Sequence, residues 1–313
     1  MKSLRIKERL GILRDHFYSH VVLQNHLERI DDKLLLLMDH KLDIRQLHPA
    51  TGFLRLKQEI CFQILRILKR IAVGNDLHFW LDFGTLLGAF RHGGFIPWDD
   101  DLDISLTRNE YETFCSLLGN RLPSQLLFLR GTAVDGSEIG IARVYEKTTG
   151  FYVDVYPYEK VSGALNENGA PTKWQADYSD VFENVFSCGI AHGLSGRTER
   201  IASDWWRDNP KGDGDETGLA VSTDYFLALP MYRNVFPVHD VFPLSEISFE
   251  GERFGAPARI EAFLGKIYGD FMKFPRDAGH AAHVRPAGKA ITPEAMRKTI
   301  DELNEIVRAM DRS

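Results

Sequence analysis

Phe95-Ile96-Pro97-Trp98-Asp99-Asp100-Asp101-Leu102-Asp103-Ile104 is the stretch on which the reading of this chain turns. Four carboxylates fall within five positions, and apolar residues flank them on both sides. A solvated surface run would not be framed in this way, because carboxylates drawn toward a core need partners. In an extended strand, residues two apart face the same side. Asp99, Asp101 and Asp103 are therefore expected on one face. Like charges so close do not all ionise without a compensating cation. Donors that are all oxygen select a hard cation, Mg²⁺ or Mn²⁺. Such an ion neutralises a polyphosphate and assists attack by an acceptor oxygen.

Two other readings of the same residues are weaker. Asp99, Asp101, Asp103 and Glu110 fit ligand positions of an EF-hand calcium loop, but Ile104 stands where that loop needs glycine. The aspartate pattern also occurs in metal-dependent glycosyltransferases. Those place several βα units of a nucleotide-sugar domain before the motif, whereas the residues upstream here read as helical.

Working outward, Leu102 to Leu106 alternates apolar and polar residues and is expected as a strand. Thr107 and Glu110 follow with capping-box spacing, and Tyr111, Phe114 and Leu118 give the next helix its buried face. Ile141–Tyr145 and Phe151–Tyr156 read as two further strands. Asp154 lies inside the second, and aspartate is depleted in strands. A neighbouring strand would set it beside Asp101 and Asp103. Upstream, His78–Asp82 is expected as a strand. Gly84-Thr85-Leu86-Leu87-Gly88 is expected as a tight small-residue segment whose backbone N–H groups approach a phosphate.

Further upstream the pattern is helical. Leu27, Ile30, Leu34, Leu37 and Met38 recur at helix spacing. Leu56, Ile60, Ile64, Ile67, Leu68 and Ile71 form one apolar face of a second helix. Downstream, residues 163–224 are irregular, with glycine and aspartate clustered in Asn209–Asp215. Val241–Phe254 is expected as a hairpin turning at Glu250-Gly251, and Arg259–Tyr268 as a helix. A last helix opens with Thr292 as N-cap and Pro293 at its first position. Its seam of Met296, Ile300, Leu303, Val307 and Met310 suits a core, or a contact with a second copy.

The expected organisation is a helical region 1–74, a catalytic core 75–160, a variable insertion 161–240, and a C-terminal part 241–313. The fold class is α+β, a small mixed sheet flanked by helices with a helical N-terminal extension. The formal net charge of −6 argues against nucleic acid as a partner. The three cysteines, Cys61, Cys115 and Cys188, are far apart, odd in number and without a CxxC pair, which indicates neither a zinc knuckle nor a disulfide framework. The first residues hold no secretory h-region, and the longest apolar run, Leu34–Met38, is far short of a membrane span. A cytoplasmic protein without a membrane span is expected.

Leu81 to Ile104 resembles, throughout its length, the signature of the LicD family, which includes fukutin and the fukutin-related protein. Arg143 with Val153-Asp154-Val155-Tyr156-Pro157 is similar to a later strand of that family. Phe249-Glu250-Gly251 and Tyr268–Pro275 resemble its C-terminal elements. The resemblance covers about 75 to 285, apart from the middle insertion. It implies a nucleotidyltransferase fold in which Asp101, Asp103 and Asp154 are metal ligands for Mg²⁺ or Mn²⁺. It implies transfer of a phospho-alcohol from a CDP-linked alcohol donor to a glycan or glycolipid hydroxyl, with release of CMP. Asp99 is then either a ligand to a second ion or the base for the acceptor hydroxyl. Gly84, Thr85, Arg91 and Arg143 fall at donor-phosphate positions, a role that suits a permanently charged planar guanidinium. The other reading for each arginine is an ion pair to the aspartates.

The family's basic, histidine-bearing C-terminal stretch is represented here by Pro275–His283, whose His280 and His283 read best as surface residues. Trp205, Trp206, Tyr225 and Phe226 offer either core packing or an aromatic box for a quaternary ammonium. The carboxylates alone equally serve a nucleotidyltransferase that moves a nucleoside monophosphate to a small molecule and releases pyrophosphate. A non-catalytic binding relative, suggested by the N-terminal helices and the final helix, is the third reading; the terminal helices also offer a contact for a homo-oligomer.

Overall fold

The structure is a computed structural model that describes residues 42–132, 134, 138–162, 216–221, 234–274 and 291–312. Two compact units are present, 1–47 with 272–280 and 48–271 with 281–313. The described part of the first holds a 3-10 turn, Ile44–Gln46, whose N-cap Asp43 accepts from the Arg45 backbone N–H. The stripe from Leu27 to Met38, Cys188, Asn209–Asp215, the four aromatics from Trp205 to Phe226, and His280 and His283 lie outside the described residues.

The second unit opens with helix α1, Gly52–Val73. Ile60, Ile64, Ile67, Leu68 and Ile71 are buried along one side, as their spacing requires. Strand β1 (Trp80–Leu81), helix α2 (Phe83–His92), strand β2 (Asp103–Thr107) and helix α3 (Arg108–Arg121) follow. Then come β3 (Leu126–Thr132), β4 (Glu138–Glu146), β5 (Tyr152–Ser162), β6 (Glu216–Val221) and β7 (Val235–Pro237). The last elements are the one-turn helix α4 (Val238–Val241), the hairpin β8 (Ser245–Phe249) and β9 (Glu252–Ala256), and helices α5 (Ile260–Tyr268) and α6 (Pro293–Met310).

All described strands join one sheet, in the order β3-β4-β5-β2-β1-β9-β8, with β6 on the far part of β5 and β7 on β6. The pairs β2/β5 and β1/β9 are parallel and the rest antiparallel, so the sheet is mixed and the fold is α+β. Trp80, Tyr111, Phe114, Tyr158, Phe236, Phe249 and Phe263 are fully buried around it. Burial of each large apolar side chain contributes roughly 1.5–3 kcal/mol. Helix α6 lies along α1, where Arg66 donates to Asn304 at 3.0 Å and Arg70 pairs with Asp311 at 2.7 Å. Its seam residues Met296, Leu303 and Val307 are buried within the chain, as core. Among the described residues no helix is long and apolar enough to cross a membrane.

Four local expectations change. Gly84–Gly88, expected as a tight small-residue segment, is part of helix α2. Asp82 caps α2 by accepting from the Phe83 N–H at 2.8 Å, and the two glycines mark close approaches rather than breaks. A Cβ on Gly84 would meet Asp99 Oδ2 at 2.6 Å, and one on Gly88 would meet the Gly94 carbonyl oxygen at 2.5 Å. Strand β2 begins only at Asp103, so Asp99 and Asp101 lie in a loop and do not share a strand face with it. The Thr107 hydroxyl makes no cap to the helix backbone and donates instead to Glu110 at 2.8 Å. Finally, β3 has no counterpart among the expected strands, because its short apolar run reads equally as helix.

Candidate active site

The site is built from the edge of β2 and what stands on either side of it. Asp103, the first residue of β2, lies in register with Asp154 on β5, and Asp154 lies in register with Arg143 on β4. Register partners on adjacent strands project to the same face. The three side chains therefore form a row across the sheet. The Asp154 N–H donates to the Leu102 carbonyl at 2.8 Å, so the row is locked one residue before β2 begins. Arg143 grips Asp154 with two parallel bonds, from Nε to Oδ1 and from Nη2 to Oδ2. Its guanidinium also lies 4.1 Å from the centre of the Tyr152 ring.

Loop 93–102 brings the other carboxylates to this row. A turn closed by the Asp99 N–H on the Ile96 carbonyl, at 3.0 Å, starts the acidic segment. Asp99, Asp100 and Asp101 each present a carboxylate oxygen, all within 4.8 Å of one another. Lys57 of α1 binds Asp100 at 2.5 Å, with both side chains buried. Thr85 of α2 accepts from the Asp103 N–H at 2.8 Å, which fastens the helix to the head of the strand. Asp82, behind this layer, accepts from the Ser105 hydroxyl at 2.6 Å and from the Tyr158 hydroxyl at 2.8 Å.

The electrostatics tie the cluster together. Burial pushes the Asp99 carboxyl well above the usual range, and the Asp101 charge adds to it. Asp103 is raised well above that range for the same reasons, burial first and then the charges of Asp101, Asp154 and Asp99. Asp82 is raised to about 6 by burial, against the hydrogen bonds it accepts. Burial opposes the charge on Arg143, but Asp154 outweighs it and holds the guanidinium above its ordinary value.

The structure thus collects Asp99, Asp101, Asp103, Asp154, Gly84, Thr85 and Arg143 around the head of β2. Arg91 stands at the other end of α2. It is buried and donates from Nη1 to the Phe271 carbonyl at 3.0 Å, while its Nε is buried without a hydrogen-bond partner. Burial lowers it to about 10, and the charges of Tyr268 and Asp99 act in the opposite sense. Lys57, Gln58 and Asp82 are site neighbours that the sequence reading passed over. The available signal was a lysine on the apolar side of α1, one turn before Ile60 and Cys61, where a charge needs a buried partner.

A family model described as LicD/FKTN/FKRP, nucleotidyltransferase domain, matches residues 76–185. Residues 76–185 thus resemble the nucleotidyltransferase domain of the LicD family. The chain is 22% identical over 256 residues to the lipopolysaccharide cholinephosphotransferase LicD of Haemophilus influenzae, a match over 74% of this chain and 95% of that one. It is 30% identical over 115 residues to the human ribitol 5-phosphate transferase FKRP, over 34% of this chain and 23% of that one. An uncharacterized protein of Rickettsia typhi is 39% identical over 57 residues, 18% of each chain. Asp99, Asp101, Asp103, Asp154 and Arg143 all fall inside the part that the LicD model matches; α1 lies before it.

Proposed function

We propose that this chain transfers a phospho-alcohol from a CDP-linked donor to a hydroxyl of a glycan or glycolipid, releasing CMP, with Mg²⁺ or Mn²⁺ at the aspartate cluster. The observation that carries the reading is the register of Asp103 with Asp154 beside the loop of Asp99–Asp101. Its support from outside the chain is the likeness to a cholinephosphotransferase and to a ribitol 5-phosphate transferase.

The donor set fits a hard cation. Every candidate ligand is a carboxylate oxygen, and burial with mutual repulsion raises Asp99 and Asp103, the state that a divalent ion relieves. Asp101, Asp103 and Asp154 are the proposed ligands, and Asp99 and Asp100 stand near enough to Asp101 to contribute. Each carboxylate oxygen has two acceptor sites. A pair with Arg143 or Lys57 therefore does not by itself fill the Asp154 or Asp100 carboxylate. When bound, the ion would neutralise the donor's diphosphate.

The chain's own groups supply the rest. The fork of Arg143 fixes the Asp154 carboxylate in one orientation. Thr85 fixes the head of β2. Arg91 has an unpartnered buried Nε and feels the charge of Asp99, so it is the proposed contact to a donor phosphate oxygen. The acceptor oxygen attacks the phosphorus distal to the nucleoside, its O–P bond forms, and the bond to the CMP oxygen breaks. Asp99, whose carboxyl is raised by burial, is the proposed base for the acceptor's proton. Catalysis here is mainly positioning and charge neutralisation.

The test is calorimetric titration with CDP-choline, CDP-ribitol, CDP-glycerol and CMP, with and without Mg²⁺. Magnesium-dependent binding of one CDP-alcohol, lost in Asp101→Asn, is the expected result and names the donor. Absence of binding by every cytidine nucleotide overturns the donor assignment. Incubation of the bound donor with acceptor must release CMP. Release of the phospho-alcohol from that donor, or of pyrophosphate from a nucleoside triphosphate, would instead make the chain a nucleotidyltransferase in the strict sense.

A further inference from the structure

Helix α1 ends at Val73, before the first residue that the LicD model matches. Its first two turns nevertheless reach the acidic loop at several points. Gln58 is fully buried, and its Nε2 donates to the Asp99 carbonyl at 2.8 Å and toward the Ile96 carbonyl at 3.4 Å. Lys57 holds the Asp100 carboxylate. Arg55 donates to both oxygens of Glu250, at 3.2 and 2.7 Å. Glu250 in turn accepts from the Phe95 N–H at 3.2 Å and donates its own N–H to the Gly93 carbonyl at 2.9 Å. The loop is thus tied at its start through Glu250 and at its acidic end directly by α1.

These contacts are poor choices for stability alone. Gln58 Oε1 is buried with no hydrogen-bond partner, and such an orphaned acceptor costs about 1–3 kcal/mol. A buried ion pair such as Lys57–Asp100 often does no better than an apolar pair of the same volume. An apolar pair in place of Lys57 and Asp100 would often pack α1 as well. What the polar groups add is a fixed place for the Asp99 carbonyl and the Asp100 carboxylate.

We propose that Lys57 and Gln58 are positioning residues, which hold the acidic loop so that Asp101 presents its oxygens to a divalent cation with Asp99 fixed beside it. This rests on the cation in the proposed function, so the experiment separates the two. Mn²⁺ alone is titrated by electron paramagnetic resonance into the wild type, Gln58→Leu, the pair Lys57→Met with Asp100→Asn, and Leu68→Ala. Hydrogen exchange of residues 95–102 is followed in the same proteins without metal.

In Gln58→Leu and in the double variant, Mn²⁺ binding is expected to weaken by about tenfold or more, the usual loss when an outer-shell partner is removed. Exchange in 95–102 accelerates more than elsewhere in the chain. Leu68→Ala, about three turns further along the same buried face, is expected to lower the melting temperature and leave Mn²⁺ affinity unchanged. Wild-type Mn²⁺ affinity and unchanged loop exchange in Gln58→Leu overturn the proposal. A wild-type protein that binds no Mn²⁺ removes the cation from the proposed function. Loop exchange then decides by itself whether Lys57 and Gln58 position the loop.

Discussion

Asp103 and Asp154 stand in register on adjacent parallel strands, and only Asp154 has a guanidinium as its other neighbour in the row. The two carboxylates are alike in chemistry and opposite in what their neighbours do to them. Asp103 faces further negative charge, whereas Arg143 grips Asp154 with a two-point fork.

Conversion of each to asparagine therefore has the same effect on turnover and opposite effects on stability. Asp103→Asn and Asp154→Asn are each expected to lower kcat by about a hundredfold or more, the scale of losing a preorganised charge at a reacting phosphate. In metal-free protein, Asp103→Asn removes a repelled charge and raises the melting temperature. Asp154→Asn leaves Arg143 half-satisfied and costs about 3 kcal/mol, the low end for breaking a buried pair. Thermal melts in EDTA check the signs; a stabilised Asp154→Asn would contradict the pairing.

Gly84 and Gly88 separate the site from the scaffold within one helix. At Gly84 the added Cβ meets a side-chain oxygen of Asp99 at 2.6 Å, and that carboxylate can swing aside. Gly84→Ala is expected to fold with little loss of stability and to lose activity, because Asp99 no longer holds its place. At Gly88 the obstacles are backbone, the Gly94 oxygen at 2.5 Å and the Ile96 nitrogen at 2.9 Å, and neither can move without the loop. Gly88→Ala is expected to cost about 1–3 kcal/mol, as overpacking does. Urea unfolding and turnover of the two variants make the comparison.

Arg91 offers a test of the donor contact. Its charge is desolvated, which lowers it to about 10, and its Nε has no partner. Arg91→Met removes a hydrogen bond to the Phe271 carbonyl, worth about 1 kcal/mol, and relieves a buried charge, so the melting temperature should change little. Affinity for the CDP-alcohol should fall by about tenfold, the equivalent of about 1.4 kcal/mol. Unchanged donor affinity with a large fall in melting temperature would make Arg91 a structural residue.

How much of this was legible in the sequence depends on range. The cap Thr292-Pro293 and the hairpin at Glu250-Gly251 were legible because their causes are local. Thr292 accepts from the Ala295 N–H at 3.2 Å, and the two hairpin residues both adopt positive φ, 50° and 83°. The association of Asp154 with Asp101 and Asp103 was legible as an expectation, since an aspartate in an apolar strand demands a partner. Its realisation through a parallel pair, β2 with β5, depends on chain-distant register that no local pattern encodes. The helix at Gly84–Gly88 was not legible, because glycine spacing serves a coil and a close-packed helix equally. The reach of Lys57 to Asp100 was hidden for the same reason as the register: the partners are distant in sequence and meet only through the sheet.

Asp82 is fully buried and raised from 3.8 to about 6. A carboxyl raised on folding is protonated more readily in the folded chain than in the unfolded one, so stability falls as pH rises. The contribution of Asp82 is fully present below about 4 and is lost as pH passes through about 6. The shift is about two pKa units, or roughly 3 kcal/mol at about 1.4 kcal/mol per unit. Asp99 and Asp103 act in the same direction. Urea unfolding in EDTA between pH 4.5 and 7.5 (values spanning about the two limits) should show stability falling with pH, less steeply in Asp82→Asn. Addition of Mg²⁺ should restore stability at the upper end, because a cation that binds only the folded state opposes the repulsion that the rise in pH creates. A metal-free protein that instead gains stability across this range would show that the buried carboxylates do not carry the cost assigned to them.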